Sequence, residues 1–218
     1  GGQLVIFATG KYLEVGDTTS TNTQSTYGIW DDSTTTTIVE ANLVEQVVTI
    51  GALSSVSTQN TVDYSDPTKK GWYFDFPTSG ERVTGVMSIE NGMLTLSSSV
   101  PSIAPCDAGG KSLVYIFDYL MGGMLDYSVF DVNKDRIVAS DDGLAVAMEI
   151  GFSVGGVTRI RGDDQDMLLF SKAHAGAGNG VGAGAGGFPG DNLIGGLDVG
   201  KGPFAVRGRI TWRELIHK

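Results

Sequence analysis

The sequence lacks several features that whole classes of protein depend on. Only one of its 218 residues is a cysteine, Cys106, so no disulfide can form within the chain and zinc sites built on paired cysteines are excluded. We expect Cys106 to be a buried or unpaired thiol. No run of about 20 apolar residues is present, so no membrane-spanning helix is predicted. There is also no initiator methionine and no signal peptide, and we expect the chain to be part of a longer, exported protein.

Basic residues and histidines are also scarce. Fifteen Lys and Arg are outnumbered by 25 Asp and Glu, which gives a formal net charge of -10. Nucleic-acid and anionic-lipid surfaces need clustered Lys and Arg, so the composition argues against both kinds of partner. The two histidines, His174 and His217, lie in a Gly/Ala-rich stretch and near the C-terminal end, which are poor places for a preorganised base. We therefore expect no enzyme.

What the sequence does contain is a series of short apolar and aromatic runs separated by Gly, Asn, Asp and Pro. The clearest hairpin has Asn91-Gly92 between residues 82–90 and 93–98, because Asn-Gly favours a type I′ turn. Further strands are predicted at residues 4–8, 27–31, 43–50, 71–77, 111–119, 145–154, 157–160, 166–171 and 203–215. Gly155-Gly156 is predicted to break the pair between 145 and 160. About ten strands without helical periodicity predict an all-β fold.

Two further predictions concern the organisation of the chain. We expect residues 1–218 to form a single all-β domain, in which the Gly/Ala-rich residues 173–190 make a flexible surface loop because they have almost nothing to bury. A sandwich and a propeller fragment both remain open on the strand count alone. The aromatic residues are assigned to the core, and they include Trp30, Trp72, Tyr73 and Trp212.

Residues 130–143 carry the strongest candidate for a functional site. Asp131, Asn133 and Asp135 occupy alternate positions, and Ile137 follows where a backbone carbonyl would be needed. Alternate oxygen ligands of a tightly turned loop can converge on one hard cation, and calcium is the cation that this spacing favours. The alternative to a calcium site is an ordinary surface turn rich in Asp and Asn, whose side chains hydrogen-bond to their own backbone.

The end of this stretch departs from an EF-hand. The sixth position is Arg136 where an EF-hand has Gly, and the twelfth is Asp142 where it has Glu. The sequence therefore predicts a calcium loop without paired helices. A second, weaker candidate is the integrin-type tripeptide Arg161-Gly162-Asp163, for which a simple turn at a strand end is the favoured interpretation.

Five segments share one order with a known family along nearly the whole chain, namely residues 7–13, 24–31, 70–76, 80–83 and 208–215. Together they resemble the C-terminal β-propeller region of the PilC/PilY proteins of type IV pili. The resemblance implies the last blades of a propeller, with blades of about 40 to 50 residues. It also implies a calcium loop whose first four ligand positions fall on Asp131, Asn133, Asp135 and Ile137.

The fifth calcium ligand of that family does not transfer, because Ala139 stands at its position. Either Asp141 or Asp142 reaches back, or water fills the site, or the affinity is lower. Calcium tolerates such irregular oxygen shells.

The resemblance also implies a non-enzymatic role in pilus assembly, in opposing retraction and in adhesion from the pilus tip. The expected location is the cell surface or pilus tip, and the expected partners are pilins or minor pilins, the rest of the protein's own propeller, and a host-cell or abiotic surface. Calcium would stabilise the folded loop and so modulate the conformation of a partner surface. A second hypothesis is a calcium-dependent carbohydrate-binding β module or a surface hydrolase.

Overall fold

The computed structural model describes residues 2–34, 37–52, 54–102, 110–150, 154–162, 165–172 and 194–200. These residues form thirteen strands and three short 3-10 helices. The strands are β1 (Gln3–Ala8), β2 (Ser25–Asp31), β3 (Val44–Glu45), β4 (Val48–Thr49), β5 (Ser54–Ser57), β6 (Gly71–Asp75), β7 (Ser88–Glu90), β8 (Met93–Val100), β9 (Lys111–Asp118), β10 (Ala147–Ile150), β11 (Val154–Ile160), β12 (Asp166–Lys172) and β13 (Ile194–Val199). The helices are Val15–Thr18, Glu40–Asn42 and Ser140–Asp142. The predicted all-β class is confirmed.

The strands form three sheets. The first sheet has the order β1-β2-β6-β3, the central sheet β4-β5-β10-β9-β8-β7, and the third sheet β11-β12-β13. All pairs are antiparallel except β3 with β6. No sheet closes into a ring within the described residues, and none of the helices described there is long and apolar enough to cross a membrane.

The central sheet is packed on both faces, which explains its continuous apolar runs. On one face, Leu96, Tyr115 and Phe117 pack against Trp72 and Phe74 of the first sheet. The opposite face contacts the third sheet through a second cluster that includes Ile116, Ile150, Leu168 and Phe170. Both faces of β8 and β9 are therefore buried, and the three sheets stack in layers.

Trp72 is the centre of the first of these cores. It is 0% exposed, and its ring stacks on Phe74 and meets Phe117 edge-on. Glycines on two sides leave room for the Trp72 indole ring. A Cβ at Gly28, its cross-strand partner, would lie 2.3 Å from the indole, and one at Gly122 would lie 2.2 Å from it. No side chain fits at either position while Trp72 stays in place.

Most predicted strands are confirmed, and so is the Asn91-Gly92 turn, but the first strand of this hairpin, β7, covers only residues 88–90 of the predicted 82–90. Asn91 has φ 51° and Gly92 has φ 80°, the left-handed pair that a type I′ turn requires. The predicted strand at 43–50 is wrong in its continuity, because β3 joins the first sheet and β4 the central sheet. The chain passes from the first sheet to the central sheet at Gln46, which lies between β3 and β4. Gln46 is 1% exposed, and its amide nitrogen donates to the carbonyls of Asn60 and Met121.

The predicted break at Gly155-Gly156 is also wrong. Both glycines lie inside β11, where the pairing with β12 shifts register between Val154 and Gly156. Glycine in a strand is compatible with such an irregularity because it has no side chain to place. Moreover, β10 and β11 belong to different sheets and do not form a pair.

Tyr73 does not belong to the core. It is only partly buried on the outer face of the first sheet, the face turned away from the central sheet. Several other predictions lie outside the described residues, namely those for Cys106, Asp163, the stretch 173–190, the histidines and the strand at 203–215 with Trp212.

Candidate functional site: the acidic loop between β9 and β10

The predicted cation loop lies between β9 and β10, two neighbouring strands of the central sheet. It begins beside the third sheet. Phe130 is 1% exposed and forms a β-bridge with Val199, while the Gly200 N–H donates to the Val129 carbonyl at 3.0 Å. The start of the loop is therefore held against the third sheet, although the loop itself connects two strands of the central sheet.

The three side chains at alternate positions all turn back onto the loop's own backbone. Asp131 accepts the N–H groups of Asp135 and Arg136, at 3.2 and 2.9 Å. Asn133 accepts the same Asp135 N–H at 2.9 Å, and Asp135 accepts the Ile137 N–H at 2.8 Å. Successive Asx turns of this kind wind the chain tightly. They place oxygen-bearing side chains on the inner side of the turn.

Two residues of the loop have left-handed backbone conformations. Lys134 has φ 65° and Arg136 has φ 72°. Arg136 is the sixth residue of the predicted loop, the position at which an EF-hand uses Gly for its sharp turn. The backbone is thus left-handed at this position although the residue is not glycine, in a region that L-residues populate sparsely.

Asp142 closes the loop. It is 8% exposed and lies in the 3-10 helix Ser140–Asp142. One of its oxygens accepts the N–H groups of Val132 and Asn133, at 2.8 and 3.1 Å, and the other accepts that of Ala139 at 2.9 Å. A single buried carboxylate therefore ties the beginning of the loop to its end.

Asp141 has a different environment from Asp142. It is exposed, and its Oδ2 accepts a hydrogen bond of 3.2 Å from the Asn133 side-chain amide. Of the two carboxylates that could replace the ligand missing at Ala139, Asp141 is thus the one whose side chain contacts a predicted ligand. Ile137, whose carbonyl is the predicted fourth ligand, is 61% exposed.

Gln165 also holds the loop, although no sequence pattern marks it as part of the site. Its Nε2 donates to the Arg136 carbonyl at 2.7 Å, and its Oε1 accepts the Val138 N–H at 3.1 Å. A side-chain amide paired with two backbone groups acts as a clamp from outside the loop. Only the three-dimensional fold brings this residue, 27 to 29 positions away, to the loop.

A buried ion pair anchors the third sheet beside the clamp. The side chains of Arg159 and Asp166 are 4% and 2% exposed and 2.8 Å apart. Arg159 also donates to the carbonyl of Gly200, whose N–H holds Val129 at the start of the loop. Asp166 directly follows Gln165, so the clamp and the ion pair share one short segment.

The loop carboxylates are directed at backbone N–H groups rather than gathered around one point. Among the described residues, no group of three or more His, Cys, Asp and Glu side chains is arranged to hold a metal ion. The donor set is nevertheless that of a hard cation, since Asp131, Asn133 and Asp135 supply only oxygen. Asp131 is 6% exposed, whereas Asn133 and Asp135 are exposed.

Arg161 and Gly162 of the predicted tripeptide directly follow the end of β11. Arg161 is 58% exposed and forms a 3.5 Å ion pair with Glu90, while Asp163 is outside the described residues. The structure brings together the predicted residues from Asp131 to Asp142, whereas Arg161 forms its ion pair with Glu90 of β7.

The segment 80–83 has a structural explanation. Glu81 is 0% exposed and accepts the hydroxyls of Ser98 and Tyr115, at 2.5 and 2.7 Å. Burial, followed by the Glu81 charge, raises the pKa of the Tyr115 hydroxyl well above its usual value. Arg82, 3% exposed, donates to three carbonyls, including those of Lys11 and Ser20. These adjacent charges join the core to the loops around it.

Comparison with known proteins identifies homologues of the chain. No family model matches the chain. The chain is 32% identical over 166 residues to the type IV pilus biogenesis factor PilY1 of Pseudomonas aeruginosa strain PAO1, and 30% identical over 172 residues to that of strain UCBPP-PA14. Each match covers 64% of this chain but only 14% and 15% of the relatives, so the chain spans about one seventh of their length.

The fold agrees with this result. The chain matches the crystal structure of the Pseudomonas aeruginosa PilY1 C-terminal domain with a TM-score of 0.67 and 24% identity, over 93% of this chain and 42% of the solved one. The chain is thus homologous to a type IV pilus biogenesis factor over 64% of its length, and this homology supports the predicted resemblance to the PilC/PilY family.

Proposed function

We propose that this chain belongs to a type IV pilus-associated protein in which the acidic loop, residues 131–142, binds calcium and sets the conformation of a surface used in pilus assembly, retraction control and adhesion. The observation that supports this proposal best is the loop itself. Three oxygen-bearing side chains at alternate positions stand on a tight turn that Asp142 and Gln165 fix from both sides. A loop fixed in this way has less conformational entropy to lose when an ion binds.

The ion would be held by the side chains of Asp131, Asn133 and Asp135 and by the backbone carbonyl of Ile137. Asp142 already accepts three N–H groups, so we assign the further ligand to Asp141 rather than to Asp142. Calcium binds 6–8 oxygens and accepts water among them, which suits a shell with four or five protein ligands. Its charge would offset the repulsion between the loop carboxylates.

The mechanism is linkage between ion binding and conformation. An ion that binds only the folded loop stabilises that state by mass action. Gln165 contacts the loop at two backbone groups and lies next to the buried Arg159–Asp166 pair of the third sheet. A change in the loop would therefore reach the third sheet through a short chain of direct contacts.

Calorimetric titration of the chain with calcium chloride tests the proposal. We expect saturable binding, and we expect Asp135→Asn to weaken it by about tenfold or more, because one ligand charge is lost. The amide oxygen can still accept the Ile137 N–H, so the turn is retained. Asp66→Asn is the matched control, since Asp66 accepts the Thr68 N–H at 2.8 Å in a similar turn outside the loop. Absence of calcium binding, or binding unchanged in Asp135→Asn, would contradict the proposal.

The wider architecture and role are part of the same proposal. We infer a single domain in which the three stacked sheets are successive blades of a partial propeller, supported by their face-to-face packing and by the 42% coverage of the solved PilY1 domain. The partners would be pilins or minor pilins, the remaining blades, and a host-cell or abiotic surface, at the cell surface or pilus tip. Exposed Arg161 leaves the Arg161-Gly162-Asp163 tripeptide as a secondary candidate for cell binding.

A further inference from the structure

Gln165 contacts the acidic loop on both sides of Ile137, the residue whose carbonyl is the predicted fourth ligand. Its Nε2 donates to the Arg136 carbonyl at 2.7 Å, and its Oε1 accepts the Val138 N–H at 3.1 Å. An amide side chain carries donor and acceptor groups together, so it can satisfy a carbonyl and an N–H at once. One side chain thus bonds to the peptide group before Ile137 and to the peptide group after it.

These two bonds fix the direction of the Ile137 carbonyl. No peptide bond in the described part of the chain is cis, and in a planar trans peptide the C=O and N–H point in opposite directions. The Val138 N–H points to Gln165, so the Ile137 carbonyl of the same peptide group points away from it. The preceding peptide group has the reverse orientation, because its carbonyl faces Gln165 and its N–H faces Asp135. The Ile137 carbonyl is therefore directed to the side of the loop on which Asp135 lies.

Arg136 is held at both ends in its left-handed conformation. Its φ is 72°, its N–H donates to Asp131 at 2.9 Å, and its carbonyl accepts from Gln165. A residue other than glycine keeps such a conformation only where its surroundings over-determine it. Without Gln165 the Arg136 carbonyl would lose this partner, and the peptide groups on both sides of Ile137 would be free to rotate.

The third sheet fixes the position of Gln165. The next residue, Asp166, begins β12, and its side chain is 2% exposed in the ion pair with Arg159. Asp166 is also the cross-strand partner of Val199, and Val199 forms the bridge with Phe130 at the start of the loop. Gln165 and the first residues of the loop are thus attached to the same sheet. Backbone pairing, rather than the loop itself, sets the distance between them.

We propose that Gln165 is a positioning residue for the calcium site: by holding the peptide groups on either side of Ile137, it directs the Ile137 carbonyl toward the ion and raises the affinity from outside the loop. This inference rests on the proposed calcium site. Groups that hydrogen-bond around the direct ligands of a metal orient those ligands. The bond from the Val138 N–H to Gln165 also polarises the peptide group, which makes the Ile137 oxygen a stronger ligand.

Calorimetric titration of the chain with calcium chloride tests the inference in Gln165→Met, which keeps the length of the side chain but removes the amide donor and acceptor. We expect binding about tenfold weaker than in the wild-type chain, as is typical when a group that orients a metal ligand is lost. Gln59→Met is the matched control and should keep the wild-type affinity. Gln59 is exposed and donates to the Met124 carbonyl at 3.1 Å, outside the acidic loop.

The Val138 amide supplies a readout that a purely structural role would not change. Coordination of the Ile137 carbonyl polarises the peptide group that it shares with Val138. Calcium should therefore shift the Val138 amide nitrogen resonance in heteronuclear NMR spectra of the wild-type chain, and shift it less in Gln165→Met at saturating calcium. Urea denaturation in EDTA verifies that each variant is folded. Gln165→Asn, whose amide is one methylene too short to reach both partners, should also weaken binding.

The outcomes separate this inference from the proposed function. If the wild-type chain binds calcium and Gln165→Met and Gln165→Asn bind it equally well, the positioning role is wrong while the calcium site stands. An unchanged Val138 shift in Gln165→Met, or an equal loss of affinity in Gln59→Met, would also overturn the role of Gln165. If the wild-type chain does not bind calcium, the proposed site and this inference are both wrong.

Discussion

The Trp72 core and the acidic loop are held by opposite means. Around Trp72, neighbouring rings and two glycines exclude water, and order comes from apolar surface removed from solvent. In the loop, Asp131 and Asp142 accept backbone N–H groups, and order comes from oxygen acceptors. The core is therefore sensitive to the volume of its side chains, whereas the loop is sensitive to the charge of its carboxylates and to the number of hydrogen-bond acceptors. Only the second kind of order can respond to an ion.

Removing the central ring gives the largest expected effect. Trp72→Ala should lower the free energy of unfolding by about 3–5 kcal/mol, because it leaves a cavity between two sheets that Gly28 and Gly122 cannot fill. Urea denaturation followed by circular dichroism measures the loss. Trp30→Ala is the matched control and should cost less, since Trp30 is partly exposed and its ring packs on Tyr64. Equal losses would show that Trp72 is not the centre of the core.

A smaller and more local effect is expected when the loop loses its buried acceptor. Asp142→Ala should cost about 1–3 kcal/mol, because three N–H groups lose their partner. Hydrogen exchange should become faster at Val132, Asn133 and Ala139, while the amides of β9 keep their protection. Asp141→Ala should leave these three amides unchanged. If the β9 amides exchanged faster in Asp142→Ala, the loop and the core would not be separable units.

The sequence was sufficient for the strands whose residues follow a clear pattern. The runs at 4–8, 71–77 and 111–119 were predictable because β-branched and aromatic residues continue through them. The strand β5, rich in serine, was missed because neither composition nor apolar alternation marks it. The break at 43–50 depends on Gln46, whose buried hydrogen bonds reach residues far along the chain. Long-range polar contacts of this kind leave no local signal.

The candidate site was predictable to a similar extent. Spacing alone identified Asp131, Asn133 and Asp135, because Asx turns and ion ligands use the same alternation. It did not distinguish Asp141 from Asp142, since only the folded loop shows which carboxylate is buried. Tyr73 was placed in the core because aromatic residues in a β domain usually belong there, whereas its strand register turns it to the outer face.

The smallest effect is expected at a second loop held by a carboxylate, where the ion plays no part. Asp17 accepts the N–H groups of Leu13 and Glu14, at 2.8 and 2.9 Å, and these bonds hold the pKa of its carboxyl below the ordinary value. A carboxyl with a lowered folded-state pKa contributes stability above its unfolded value of about 3.9, and this is lost as pH falls through the folded value. Asp17→Asn should therefore flatten the decline of stability below about pH 4. Thermal unfolding between pH 7 and pH 2.5 measures this decline, with Asp126→Asn as the exposed control.

Calcium should leave the pH profile of stability unchanged, because Asp17 lies outside the acidic loop. An unchanged acid slope in Asp17→Asn would mean that acceptor number does not stabilise loops in this protein, which would remove the basis for contrasting them with the core.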